Sequence, residues 1–453
     1  MDRFTRDRIA VTAVFAGNGL LFASLFSRLP EVQTRLRLDE GALGLALLAA
    51  PVGLIAAVAL SGPLVTRHGS RIVAAVGAAG YAGLLFLPAV APSMAALALA
   101  LFALGAASGA LDVAMNTQGI AVEARAPRRI FASLHAGFSF GALAGAASAG
   151  LIAHAGVPLT AHLVGVGALV AGAMAVAIRR FTPDGTSRAR QPARGGEPAR
   201  GGEAPRGAEP ARGAEPARGG QPARGGQPAR GGQPAGGGEA PCRGSFARPS
   251  PALLGLGAVA FCVLLAEGAL NDWSAVYLSR VHGAAAGTAA AGLAVFSLTM
   301  GFARLAGDRL ATAFGSRAVA RGGLLGGALA FVAAAAAPSA VTAIVAFGTL
   351  GLGLASVYPL TMRTAAAQPG VPAGVAIGAV TTLGYVGFLL GPPAVGLLAH
   401  ASSLRVSLAA VGGLCLLAAH LARGVTDESS RRARSQHAWE CRPPAPSSGR
   451  ISS

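Results

Sequence analysis

The sequence predicts an all-α membrane protein of twelve transmembrane helices, arranged as two parallel six-helix pseudo-repeats. Three observations carry that prediction. The 453 residues are 53% hydrophobic and only 12% charged, with a mean hydropathy of +0.56, where a soluble domain carries roughly 25% charged residues. Apolar runs of about 18–25 residues, each able to cross ~30 Å of hydrocarbon, fall in two groups of six. Motifs of the first group return in the second at one fixed offset of 246 residues.

The first six runs lie near 9–29, 42–65, 72–91, 95–118, 131–153 and 158–178, and the second six near 252–278, 287–310, 318–337, 339–361, 373–398 and 404–422. Arg3, Arg6 and Arg8 before the first run resemble the start of a signal peptide. The run is longer than a signal core and many similar runs follow it, so it reads as a first span that stays. Arginines cluster in every second loop: Arg67 and Arg71; Arg125, Arg128 and Arg129; Arg179 and Arg180; Arg309, Arg317 and Arg321; Arg363. The alternate loops are nearly uncharged, apart from the balanced set between Arg28 and Glu40. This bias predicts both termini on the cytoplasmic side.

Four segments follow: 1–181, a six-helix half; 182–250, a linker; 251–422, a second six-helix half; and 423–453, a tail. Residues 191–244 repeat a six-residue unit, from QPARGG at Gln191 to QPAGGG at Gln233, with no aromatic or aliphatic residue larger than alanine in the array. Such a segment cannot bury a core and is expected to be disordered, as is the tail. A flexible coil of this length spans roughly 45 Å end to end. Its RGG steps lack the interleaved aromatics that stack on bases, so nucleic acid is not an expected partner. The net charge of +18 comes wholly from arginine and is spread over loops, linker and tail, as membrane orientation requires. Cys242, Cys262, Cys415 and Cys441 have no metal-ligand spacing.

The offset is visible in several places. HGSR at His68–Arg71 returns as FGSR at Phe314–Arg317; Gly77 and Gly80 return as Gly323 and Gly326; Gly141, Gly145 and Gly150 return as Gly387, Gly391 and Gly396. Two parallel repeats joined by a long loop are the layout of a transporter whose site lies between them.

Polar residues inside the spans are the candidates for chemistry. Gly105, Gly109, Asp112 and Asn116 fall at i, i+4, i+7 and i+11, one helical stripe. An ionised carboxylate in such a span costs about 2.5–3.5 kcal/mol, so Asp112 must face protein or water. It lies about six residues, ~10 Å, from the cytoplasmic end of its apolar run. The stripe's counterpart is Gly351, Ala355, Tyr358 and Met362. Glu267 lies nearer the centre of its span and shares a face with Asn271, with Asp272 adjacent. A carboxyl taken out of water can bind and release a proton near neutral pH, as ion coupling requires. Glu267 is placed ahead of Asp112 as proton carrier, and the bland alternative for both is polar bonding between helices. Arg304 and Asp308 form a structural ion pair in this reading. His135 titrates between pH 5 and 8, although a single histidine near a helix end is usually interfacial. Asn18 lines the cavity if its helix is interrupted at GNG. Trp273 and Tyr277 read as interfacial belt residues.

GPLVTRHGSR, Gly62–Arg71, resembles the signature loop of the major facilitator superfamily, with Gly62, Thr66, Arg67, Gly69 and Arg71 as its gate positions. Asp112–Asn116, Ser133–Gly145, Gly301–Leu310 and Gly384–Gly396 are similar to its fucose-permease-like branch. The signature usually carries an aspartate where this chain has Thr66, and the repeat position is Thr312. In the family that aspartate helps to lock the inward gate by an ion pair, so Arg304 and Asp308 are the candidates to replace it here. The resemblance implies alternating-access transport with a sugar or other small polar solute as substrate and protons as coupling ion. It places a monomer in the cytoplasmic membrane of a bacterium.

No nucleotide-binding loop, metal cluster or nucleophile–base pair is legible, which argues against an enzyme and predicts no cofactor. Two alternatives stay open: proton-coupled efflux of a hydrophobic compound, and a non-transporting sensor signalling through the linker. The fifth span lacks the Gly-Pro pair usual in antiporters of the superfamily; GPP occurs in the eleventh.

Overall fold

The computed structural model describes residues 2–126, 130–181, 251–369, 371 and 373–424, without the side chains of Ala132, Asp308, Ala373, Gly374 and Gly424. The linker reading for 182–250, most of the tail, Arg128 and Arg129 lie outside the described residues. Twelve helical segments are long and apolar enough to cross a membrane. They are α1 (Arg3–Leu36), α2 (Glu40–His68), α3 (Ser70–Val90), α4 (Met94–Glu123), α5 (Phe131–His154) and α6 (Leu159–Ile178). The second set comprises α7 (Pro251–His282), α8 (Ala286–Phe314), α9 (Ser316–Ala335), α10 (Ala340–Ala366), α11 (Ala373–Ala401) and α12 (Leu404–Leu421). The expected number and order of spans hold.

Four spans are broken, each ahead of a proline. Regular helix stops at Phe26 before Pro30, at Leu47 before Pro51, at Leu84 before Pro88 and at Leu354 before Pro359. A proline ring collides with the carbonyl four residues earlier and offers no N–H, so the turn falls four or five residues upstream. Local bonds keep the breaks paired: the Ser27 and Arg28 amides donate to the carbonyls of Ala23 and Leu25 at 3.0 Å each. Unpaired backbone groups would be costly in lipid.

The helices pack through backbone contact at glycines. A Cβ on Gly105 of α4 would collide with the Ala50 carbonyl of α2, and one on Gly351 of α10 with the Phe296 carbonyl of α8. These two contacts differ by the same 246 residues on both sides. Gly77 against the Ala107 carbonyl has the same counterpart in Gly323 against the Gly353 carbonyl. The repeat is therefore a repeat of packing, where missing side chains let helices approach closely. Gly69 and Gly315, also one offset apart, have φ of 85° and 84° and turn the chain between α2 and α3 and between α8 and α9.

An even number of spans in each six returns the chain to the face it left, here called the terminal face. At the opposite face the two sixes meet closely. Gly44 of α2 lies on the Pro392 carbonyl and Gly396 of α11, and Gly150 of α5 lies on the Gly287 backbone of α8. Arg280 donates to the Gln33 side chain at 3.2 Å, and His400 lies 3.6 Å from Asp39. Buried Arg28 forms a two-pronged pair with Glu31 at 2.6 and 2.8 Å and donates to the Val157 carbonyl at 3.0 Å. On the α2–α11 side the seam loosens toward the terminal face, because Ala49–His68 scarcely touches α11 while Glu40–Leu47 packs along it; on the other side α5 and α8 stay packed at least to Ser139 and Arg304. At the terminal face, Arg125 pairs with Asp7 at 2.9 Å, and Glu123 accepts the Ile130 and Phe131 amides at 2.7 and 2.6 Å, closing the start of α5.

The glycine contacts give a prediction. Gly105→Val should lower stability by about 1–3 kcal/mol, the usual cost of overpacking. Gly83→Val, where nothing lies within 4 Å of the new Cβ, should not. Thermal melts in detergent compare the two.

Candidate functional site

Glu267, near the middle of α7, points toward Arg304 of α8, with Nη2 3.5 Å from Oε2. The other guanidinium nitrogen donates to Ser139 Oγ of α5 at 3.0 Å. Arg304 thus links two helices of the second six to one of the first. The Glu267 and Arg304 side chains are 14% and 21% exposed, so the pair is largely withdrawn from water. Withdrawal costs both charges several kcal/mol and strengthens their attraction; losing one partner is then worse than losing both.

His135 stands one turn before Ser139, edge-on to Phe15 and Phe131 at 5.1 and 4.9 Å, and lies in the field of Arg304. It is half-buried and held between those two rings within the bundle. Tyr358 of α10 is half-buried, and Thr381 of α11 directs its hydroxyl to Met362 Sδ one turn further along α10, 3.5 Å away. Tyr385 of α11 feels both Tyr358 and Asp112. Tyr358 and Tyr385 of the second six lie within electrostatic reach of Glu267 and of Asp112 respectively.

Asp112 sits deeper than its apolar run implies. Helix α4 continues to Glu123, eleven residues beyond Asp112, or about 16 Å of helix rise. The hydrophobic edge near 118 is not the helix end, because the last turn continues until Glu123 caps α5. Asn116 donates Nδ2 to the Asp112 carbonyl at 2.8 Å and leaves its buried Oδ1 without a partner. The stripe divides by role: Gly105 and Gly109 press on the backbone of α2, and the polar pair follows one turn later.

Other expectations change. The regular part of α1 runs unbroken past Asn18, which is buried with Nδ2 4.0 Å from Met115 Sδ and Oδ1 unpartnered. Since GNG causes no interruption, Asn18 reaches α4 from an intact helix. Trp273 and Tyr277 are fully buried, and Tyr277 donates to the Ala334 carbonyl at 2.6 Å, so neither is a belt residue. Helix α7 is the most enclosed of the twelve, which is why its aromatics are interior. The sequence pairs Arg304 with Asp308, whose side chain lies outside the described residues; in the structure Arg304 meets Glu267 and Ser139. Asn271 is half-buried and Asp272 buried one residue on.

Gly62, Thr66, Arg67 and Arg71 are exposed at the terminal face, with Thr66 Oγ1 donating to its own helix at the Gly62 carbonyl, 3.0 Å away. Ser70 next to them accepts from Gln118 of α4 at 2.7 Å, which ties the loop to its own six. Among the described residues no group of three or more His, Cys, Asp and Glu could hold a metal. Sequence reasoning missed Ser139 and Tyr385. Ser139 falls one turn after His135 on the same face, and Tyr385 is a hydroxyl set among the glycines of Gly384–Gly396; both signals were present.

Twelve spans around a buried ionic layer shared by two six-helix sets define a membrane transporter. The chain belongs to the Major Facilitator Superfamily, whose family model matches residues 10–384 and again 256–448. It is 30% identical over 421 residues to an uncharacterised MFS-type transporter of Yersinia pestis, covering 93% of this chain and 96% of that one. It is 28% identical over 405 residues to the membrane protein MosC of Rhizobium meliloti, covering 88% and 86%. Among solved structures, a variant of the nucleoside transporter NupG superposes with a TM-score of 0.67 at 11% identity, over 92% of this chain and 99% of that one. A bacterial homologue of the human lysosomal transporter Spinster, inward-facing and unoccupied, gives 0.64 at 14% identity, over 94% and 98%. At such identities these structures speak for the fold alone.

The ion pair yields a double-mutant prediction. Glu267→Gln and Arg304→Gln should each lower the melting temperature, and the double variant should lose less than the sum. The coupling is expected within the ~0.5–3 kcal/mol of contacting residues. Strict additivity would show that the two charges do not interact.

Proposed function

We propose that this protein is a secondary active transporter that couples the proton gradient to uptake of a small polar solute by alternating access between two six-helix halves. The terminal face is cytoplasmic on this reading, in the cytoplasmic membrane of a bacterium, since the arginine-rich loops lie on that side. The observation that carries the coupling is a charge imbalance. Asp112 and Glu267 set two carboxyls on α4 and α7 against the guanidinium of Arg304. Carboxylates this far from water need counter-charges, and the surplus one is most simply met by a proton.

The ion pair supplies the switch. With Glu267 ionised, Arg304 is neutralised and bridges to Ser139 of the other half. A proton arriving on the Glu267 carboxylate removes that counter-charge, and Arg304 then needs a new partner, which a hydrogen-bonding solute provides. Binding of proton and solute is thereby linked through one guanidinium. The conformation fits one end of the cycle, closed at the outer face by the Gly44–Gly396 and Gly150–Gly287 contacts and loosened toward the cytoplasm. A sugar-like solute is supported by the hydroxyl and amide groups that Ser139, Asn116, Tyr358 and Tyr385 carry inside the spans, and by the fucose-permease-like stretches. Protein monomers suffice, because both halves of the site lie in one chain.

In proteoliposomes carrying an internal pH dye, a substrate of a symporter should drive acidification. Glu267→Gln should abolish the acidification while retaining solute binding; unchanged coupling would remove Glu267 from the mechanism. Deleting 190–244 should leave transport largely intact, and lost activity with normal insertion would favour a signalling role for the linker.

A further inference from the structure

A second carboxylate lies apart from the Glu267–Arg304 pair. Asp272 follows Glu267 by five residues on α7, or about 7.5 Å of rise toward the closed face. A solute crossing from that face meets Asp272 first. The residue is 5% exposed, and among the described residues no hydrogen bond or ion pair meets it. It lines a cavity of about 70 Å³ bounded by both halves. The cavity is otherwise largely aromatic and aliphatic: Phe22 and Phe26 of α1, Tyr81 of α3, and Phe388 and Pro392 of α11. Phe22 and Phe26 are stacked, with centroids 4.4 Å apart. Besides the hydroxyls of Tyr81 and Ser108, Asp272 is the polar side chain that lines the space, and the one carboxylate among its lining residues.

We propose that this chamber binds the protonated amino group of the transported solute, which makes the substrate an amine-bearing small polar molecule. The inference rests on the transporter reading above. An ionised carboxylate in a nearly apolar enclosure needs a counter-charge. A proton would meet that need without a cavity or rings. An ammonium group needs room beside the carboxylate and gains from aromatic faces, and the chamber offers both. Whole-ligand pockets usually measure ~300–1,000 Å³, so a space this small suits a head group, with the rest of the solute directed toward Arg304 and Ser139. A neutral solute would leave the charge of Asp272 uncompensated, so the chamber selects for the amine.

Trp273 reports on the chamber. It neighbours Asp272, is fully buried, and becomes the only indole once Trp439, the other of the chain's two tryptophans, is replaced by phenylalanine. The full-length Trp439→Phe protein in detergent is titrated with D-glucosamine, N-acetyl-D-glucosamine, D-glucose and methylammonium chloride at matched ionic strength. Saturable fluorescence changes are expected with glucosamine and, more weakly, with methylammonium, and not with the two neutral sugars. Asp272→Asn should weaken the amine response at least tenfold and Asp272→Glu should keep most of it, with melting curves confirming that both variants fold. Equal responses to amine and neutral sugars, no response to either amine, or full amine binding by Asp272→Asn would overturn the proposal. Should the amine response fail while solute-driven proton flux persists in proteoliposomes, the chamber assignment falls and the transporter reading stands. Amine binding without any flux would mean the reverse.

Discussion

A lipid bilayer offers no hydrogen-bond partner and no counter-charge, and most features of this structure follow from that. Backbone groups stay paired even where prolines break the helices, because the chain resumes within a few residues of each break. Helices gain nothing by hiding apolar surface from lipid that is equally apolar, so they associate where glycines let backbones touch. Among the described residues, charged side chains lie at the two ends of the bundle or at the seam between the halves. The Glu267–Arg304 pair belongs to the second group, and each partner makes the other tolerable.

The same constraint gives the two halves a common scaffold and lets their chemistry differ. Gly105 on Ala50 and Gly351 on Phe296 hold matching helix pairs at matching depths. Seven residues along from those glycines, about two turns, the first half carries Asp112 and the second carries Tyr358. The central acid of the second half sits on α7, where the first half has no acid at the same depth. Packing is repeated because it must close two similar bundles. Polar groups are not repeated, and on the proposed function one asymmetric solute takes different contacts from each side.

The spans, their order and the repeat were legible in the sequence, since length and apolar composition are local properties and the offset survives in the glycines. The candidate site was legible only in part. Asp112, Asn116 and Glu267 stand out because a polar side chain in an apolar run is conspicuous. Their partners are less so: Arg304 reads locally as the mate of Asp308, four residues on, and nothing in the sequence brings Ser139, 165 positions away, to the same guanidinium. Trp273 and Tyr277 resemble belt residues when α7 is read alone, and only the packing of neighbouring helices around α7 makes them interior. Depth is similarly hidden, since hydropathy marks where lipid ends and α4 continues beyond it to Glu123.

The central claim is that the halves rock about the seam holding Glu267 and Arg304. Spin labels at positions related by the offset test it most directly. In a cysteine-free background, one pair at Arg67 and Ala313 marks the terminal face, and one at Ala155 and Ala401 marks the other; all four positions are exposed. The account predicts that distance distributions move in opposite senses as proton and solute are supplied, the terminal pair shortening while the outer pair lengthens. Distances that stay fixed at both faces, or that change in the same sense, would contradict it.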